Sequence, residues 1–338
     1  MMGILRKLTT RVVSRLMKPL ESVKNMAMSA IRIHKFGGVD QLHLDDDVPM
    51  PECAANEVII ASHAVAVSPT DILARMGRLE DFLHEHLPII PGWDVSGVVE
   101  TVGSDVTAFR KGDEVFCRPW TGRAGTFADF VAVPAEHVAF KPKNITHELA
   151  AAVPLSCQTA WGVLFETAKL QPGQRVVVHA AAGGVGVFAV QLAKLHGAYV
   201  IGTASSNNQD FVREIGADEV LDYRKYDSAP QPKDIDLVFD TVGASVHELS
   251  MSWLKPGGML VSIVNLEPSQ ELARKHKVTA CHALPKPSGV RLTAIKDLIE
   301  QDKLKIVVQE ILTRDQVKRA HELVQSGHVR GKIVVKWR

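Results

Sequence analysis

The sequence predicts an α/β chain of two domains, one β-rich and barrel-like, the other a doubly wound parallel sheet. Three observations predict it. Between residues 29 and 153, short apolar runs such as "EVIIASHAVAV" and "VSGVVETVG" are punctuated by proline and glycine, as in a barrel of short strands. From residue 154 to 288, β-branched runs alternate with helical stretches: "RVVVHA", "AYVIGTA", "EVLDY", "IDLVFDTV" and "GGMLVSIV". At the head of that alternation lies "HAAAGGVGVFAVQLAK", a glycine-rich turn between two apolar runs.

In chain order, residues 1–28 come first and stand apart. They carry Arg6, Lys7, Arg11, Arg15 and Lys18, with no acid before Glu21. Ile4, Leu8, Val12, Leu16 and Leu20 recur every four residues, giving a basic amphipathic helix. Such a segment suits a mitochondrial transit peptide or an anionic membrane surface. A start at Met26 or Met28, or a plain helical extension, fits equally. The expectation is a cytoplasmic enzyme, or a mitochondrial one if residues 1–28 are a transit peptide.

The glycine turn is the chemical centre of the second domain. "QRVVVHA" reads as a buried strand, and Val187, Val190, Leu192 and Leu195 begin a helix that Gly197 closes. A dinucleotide-binding turn reads G-x-G-x-x-G; here Ala181-Ala182-Gly183-Gly184-Val185-Gly186 places alanine at the first position. Gly183 would let the backbone approach a pyrophosphate, and Gly186 would let helix and strand pack closely. A tight turn without a ligand fits the same pattern. NAD-binding turns carry an acid about 20 residues on. Here that place holds Thr203 to Asn208, with no carboxylate, which favours NADPH. An ordinary polar loop is the alternative, since no Arg or Lys stands in that stretch; Arg213, Tyr223 and Arg224 follow later.

These residues resemble a known family. The stretch from Gly173 to Lys194, apart from Val177, is similar to the signature of the zinc-independent, zeta-crystallin-like quinone oxidoreductases of the medium-chain dehydrogenase/reductase superfamily. "VSPTD", "PIIPGWDVSGVVETVG", "LSCQTAW", "GADEVLDYR", "DLVFDTVG", "LKPGGMLVSI" and "SGHVRGKIVV" follow in the family's order. The resemblance implies a GroES-like barrel domain over residues 29–153, a Rossmann domain over 154–288 and a return to the catalytic domain over 289–338. It also implies a homodimer and a cofactor site built by Thr159, Ala181, Gly183, Gly184, Val185, Gly186, Thr203, Ser205, Asn208, Tyr223, Thr241, Val242 and Lys332.

Zinc-bearing relatives hold a catalytic metal with Cys, His and Cys. The matching positions here are Ser68, Trp93 and Leu155, none of them a zinc ligand. Cys53, Cys117, Cys157 and Cys281 lie far apart, so neither a disulfide framework nor a C-x-x-C site is expected. His84 and His86 lack soft partners and read as a solvated loop. The expectation is therefore a metal-free site.

Without a metal, the feasible reaction is hydride transfer from NADPH to an acceptor already electrophilic, a quinone or an α,β-unsaturated carbonyl. Ser68 and Asp71, read at a strand end, are expected to hydrogen-bond the reacting partners, and Trp93 and Trp120 to wall a flat acceptor. Tyr199, Tyr223 and Tyr226 all fall in the nucleotide domain, so no tyrosine acid serves the substrate domain. Two other readings stay open: an enoyl reductase of a carrier-bound chain, and a non-enzymatic, crystallin-like NADPH binder. A net charge of +1 argues against nucleic acid, and no apolar run reaches the ~20 residues of a membrane span.

Overall fold

The computed structural model describes residues 27–79, 87–120, 125–226 and 230–338. The basic segment 1–26, and His84 and His86, lie outside the described residues.

The first sheet is built around the longest apolar run. After an antiparallel pair, β1 (Ala27–Ile33) and β2 (Leu42–Pro49), strand β3 (Glu57–Val67) is buried along almost its whole length, because Val58, Ile60, Val65 and Val67 enter the main core and Ala64 and Ala66 a second one. β4 (Val95–Val102) and β15 (Lys332–Lys336) pair with it antiparallel, and β6 (Phe130–Pro134) joins its N-terminal half. The order of this seven-stranded sheet is β14-β15-β3-β4-β5-β7, with β5 at Glu114–Cys117, β7 at Val138–Phe140 and β14 at Val308–Thr313. So the last two strands in the chain complete the sheet begun by the third.

The second sheet is wholly parallel. Its strands are β8 (Arg175–Val178), β9 (Tyr199–Ala204), β10 (Glu219–Asp222), β11 (Ile235–Asp240), β12 (Leu254–Ser262) and β13 (Thr279–His282). The order β10-β9-β8-β11-β12-β13 reverses direction between β8 and β11. Ligands of doubly wound sheets sit at that reversal, outside the carboxyl ends of the strands.

Close packing forces the glycines there. A Cβ on Gly186 would lie 2.3 Å from the Ala180 carbonyl oxygen and 2.7 Å from Ala181 Cα. Only glycine lets the helix Gly186–Leu195 start so near β8. That helix buries Val187, Phe188, Val190 and Leu192, each contributing roughly 1.5–3 kcal/mol. Gly197 takes φ +86° just past its end, a left-handed conformation that favours glycine.

Candidate active site at the meeting of the two sheets

The two sheets touch where the nucleotide turn meets the start of β15. Gly183 and Gly331 form a parallel β-bridge, and Gly331 N–H donates to the Ala182 carbonyl at 2.8 Å. The tripeptide Arg330-Gly331-Lys332 therefore lies along the turn, with one cation on either side.

On one side is Lys332. A Cβ placed on Gly184 would meet its Cδ at 3.0 Å, so the lysine stem rests on the turn. Its ammonium donates to Ser68 Oγ and lies 3.1 Å from Asp94 Oδ2. Ser68 Oγ stands 3.5 Å from the same carboxylate oxygen. The other oxygen, Asp94 Oδ1, accepts the Leu155 N–H at 2.6 Å, at the start of the helix Pro154–Trp161. All three side chains are buried. Burial pushes the Asp94 carboxyl up, while Lys332, the Leu155 N–H and Arg118 oppose that. Of the three positions that match a metal's ligands in zinc-bearing relatives, Ser68 Oγ and the Leu155 N–H reach the Lys332–Asp94 pair, and Trp93 is the chain neighbour of Asp94. Among the described residues, no group of three or more His, Cys, Asp or Glu is arranged to hold a metal.

Ser68 and Asp71 stand differently from the sequence expectation. The chain turns at Ser68 into the helix Pro69–Arg75, with Ser68 as its N-cap and Asp71 at the third position. Proline at the first helical position and an acid at the third explain the start. Asp71 Oδ2 accepts the Ser68 N–H at 2.6 Å, so this oxygen fixes Ser68, while Oδ1 has no hydrogen-bond partner among the described residues. Its burial raises it to about 7, with the Ser68 N–H opposing. Trp93 is buried, and its indole N–H has no hydrogen-bond partner among the described residues. Trp120 is half-buried.

On the other side of the turn is Arg330. Its Nη2 donates to Asn208 Oδ1 at 2.8 Å and to the Asn207 carbonyl at 3.3 Å, and its guanidinium lies 4.7 Å from the centre of the Phe211 ring. A cation thus stands at the loop after β9, the loop expected to read the adenosine ribose. Local sequence shows no basic residue there; Arg330 arrives from 122 positions away. A carboxylate arrives as well. Asp222, from the end of β10, accepts the Ser206 hydroxyl at 2.6 Å. The expectation of a loop without an acid is corrected on that point: parallel pairing of β10 with β9 brings Asp222 beside the loop.

Two other expected cofactor residues face inward. Thr203 Oγ1 lies 3.2 Å from His179 Nδ1 and accepts the Ala180 N–H, also at 3.2 Å. β9 is buried on both faces, as strands of parallel sheets are, so Thr203 is buried within it. Ala181 is wholly buried, against the place where Gly202 lacks a Cβ. Thr159 spends its hydroxyl on the Leu155 carbonyl, at 2.7 Å. Ser205 and Asn208 remain at the loop, within 3.5 Å of each other, and Tyr223 is exposed beside Arg224. Gly183, Gly184 and Val185 form the turn itself.

Sequence reasoning missed the buried scaffold beneath the strand ends. His179 Nε2 bonds Ser250 Oγ at 2.8 Å, and Thr241 Oγ1 donates to the His179 carbonyl at 2.8 Å. Asp240 accepts from the backbone of Val242 and Gly243 at 2.8 and 2.9 Å, from Ser262 Oγ at 2.6 Å, and contacts His247 Nε2 at 2.9 Å. Burial raises the Asp240 carboxyl, but these donors together hold it below the ordinary range. The network fixes Thr241 and Val242 at the reversal of strand order. No sequence motif signals it, because its members come from the ends of β8 and β11, from β12 and from the helix His247–Trp253.

Comparison with known proteins agrees with this architecture. A family model described as an alcohol dehydrogenase GroES-like domain matches residues 54–143. One described as a zinc-binding dehydrogenase matches residues 215–335. The chain is 31% identical to the mitochondrial NAD(P)H oxidoreductase RTN4IP1 of Danio rerio, over 93% of this chain and 92% of that protein. It is 33% identical to a chloroplastic NADPH-dependent alkenal/one oxidoreductase of Arabidopsis thaliana, over 89% and 77%. The structure of a quinone oxidoreductase from Coxiella burnetii superposes with TM-score 0.85 at 33% identity, covering 93% of this chain and all of that one.

Proposed function

The chain belongs to the zeta-crystallin-like quinone oxidoreductases of the medium-chain dehydrogenase/reductase superfamily, and from that premise we propose that it reduces quinones or α,β-unsaturated carbonyls with NADPH, without zinc. At the coarser level it is an NAD(P)H-dependent oxidoreductase.

One observation supports the finer reading: the buried Lys332–Asp94 pair engages Ser68 Oγ and the Leu155 N–H, two of the three positions that match a metal's ligands in zinc-bearing relatives. A protein-borne cation is already seated there, balanced by its own carboxylate. Quinones and enones tolerate that arrangement, because conjugation spreads the incoming electron pair and strong Lewis-acid activation is unnecessary. A saturated alcohol lacks this outlet.

The residues fit the cofactor. Gly183 and Gly184 supply backbone that a diphosphate can approach, and the helix Gly186–Leu195 presents its N-terminus there. Arg330, Ser205 and Asn208 would hold a ribose 2′-phosphate, and Thr241 and Val242 would border the nicotinamide end. Bound NADPH supplies the hydride. The chain supplies orientation, a dry setting and the buried charges around Ser68. The Asp222 carboxylate is taken up by Ser206 and the Arg224 N–H, which leaves Arg330 to set the preference at the ribose.

The test is a panel of acceptors: 1,4-benzoquinone, short enones, an enoyl thioester and saturated alcohols with NADP⁺. NADPH consumption with quinone or enone, unchanged by a chelator, and zinc well below one per chain are expected. Brisk alcohol oxidation with stoichiometric zinc would overturn the reading; preference for the enoyl thioester would move the substrate to acyl chains.

A further inference from the structure

Reduction of a quinone or enone leaves a negative charge on the acceptor oxygen, and that oxygen needs a proton. No tyrosine stands in the catalytic domain to give one, and Asp71 meets Ser68 through the backbone N–H rather than through the hydroxyl. The geometry points to Lys332, acting through the Ser68 hydroxyl, as the group that stabilises and protonates the reduced acceptor; this rests on the reductase reading above.

Four observations converge. Lys332 is 4% exposed, yet its ammonium is not neutralised by a close ion pair alone: it shares itself between Ser68 Oγ and Asp94 Oδ2. The Ser68 hydroxyl accepts from the ammonium, so its own proton is free to turn from Asp94, 3.5 Å away, to an arriving oxygen. The Ser68 backbone is fixed by Asp71 at 2.6 Å, which holds the hydroxyl in place. Lastly, the lysine stem lies against Gly184 of the glycine turn proposed to hold the cofactor, which places the ammonium beside that turn.

The step balances. Hydride adds to the acceptor carbon with its electron pair, and the π pair of the acceptor moves onto its oxygen. That oxygen takes the Ser68 proton as Ser68 takes one from Lys332. The lysine is left as a neutral amine beside Asp94 and is reprotonated from solvent once the product leaves. Ser68 and Lys332 are both buried, so the proton passes to an acceptor lodged against them and not to bulk water. A fixed cation in a dry site is worth far more to a developing oxyanion than the same charge in water.

The experiment uses 4-nitrophenol, a planar acid whose anion has its own absorption band, bound to the full-length protein with NADP⁺. At a pH below its solution pKa, the wild type should hold it largely as the phenolate. Lys332→Met should abolish that band, and Lys332→Arg should restore it. In parallel, Lys332→Met should lower kcat about a hundredfold, the scale of a lost oxyanion donor, with NADPH affinity changed less than threefold. If removing one partner of the buried pair unfolds the chain, Asp94→Asn/Lys332→Met, which removes both charges, decides the matter by the same band. Equal ionisation in the wild type and the lysine-free variant overturns the assignment. A wild type silent on every acceptor sinks the reductase reading but still leaves the phenolate band to decide for or against Lys332.

Discussion

Arg330 Nη2 lies 2.8 Å from Asn208 Oδ1, joining the first sheet's final strand region to the loop that follows β9. That contact sets the first prediction. A charged hydrogen bond contributes roughly 1.5–3 kcal/mol, so Arg330→Ala should weaken NADPH binding about tenfold or more and leave NADH binding nearly unchanged. Calorimetric titration with both cofactors measures it. Equal NADPH affinity for variant and wild type would place the 2′-phosphate elsewhere.

The turn glycines should separate two effects. A Cβ on Gly183 meets only the Ala180 carbonyl oxygen, at 3.2 Å, whereas one on Gly186 meets backbone at 2.3 Å. Gly183→Val should abolish NADPH binding while the thermal transition moves little. Gly186→Ala should cost about 1–3 kcal/mol of stability through overpacking. Melting curves taken with and without NADPH distinguish them.

Asp71 gives a pH dependence. Its folded value of about 7 lies above its ordinary 3.8, because burial disfavours the charged form. The contribution to stability is therefore whole below pH ~4 and is lost as pH rises through about 7. Asp71→Asn keeps an acceptor for the Ser68 N–H and carries no charge. The wild type should lose on the order of 4 kcal/mol relative to this variant between pH 4 and 8. Parallel denaturation curves across that range would refute the buried, proton-holding carboxyl.

The scaffold pair makes a fourth test. His247 contacts Asp240 at 2.9 Å, and both are buried. His247→Leu removes one of the donors that hold Asp240 in place and should loosen the Val242–Gly243 turn. KM for NADPH should rise by roughly tenfold, in line with modest misplacement, with kcat less affected. An unchanged KM would make the network a purely structural feature.

What the sequence made legible was local. The strand, glycine turn and helix around Gly183 are contiguous, so propensity and spacing reveal them. The alternation of strands and helices likewise foretold the parallel sheet. The site's charges were not legible in the same way. Lys332 was expected at the cofactor, and its ammonium in fact reaches Ser68, 264 positions distant. Asp71 was read at a strand end and proves to be the third residue of a helix, because Ser68-Pro69 starts that helix directly after β3. Asp222 and Arg330 reach the ribose loop only through strand pairing and sheet contact. Juxtapositions of that kind depend on tertiary register, which no window of sequence contains.

Gly331 has φ +68°, and a Cβ on it would fall 2.1 Å from the Val307 carbonyl oxygen, so its backbone is pinned between two walls. Arg330 and Lys332 are its immediate neighbours, and covalent geometry fixes the distance between them. The two cations consequently hang from one backbone anchor. A point substitution removes one and spares the other, but adding or deleting a residue at Gly331 would rotate the following strand by one place and disengage both together.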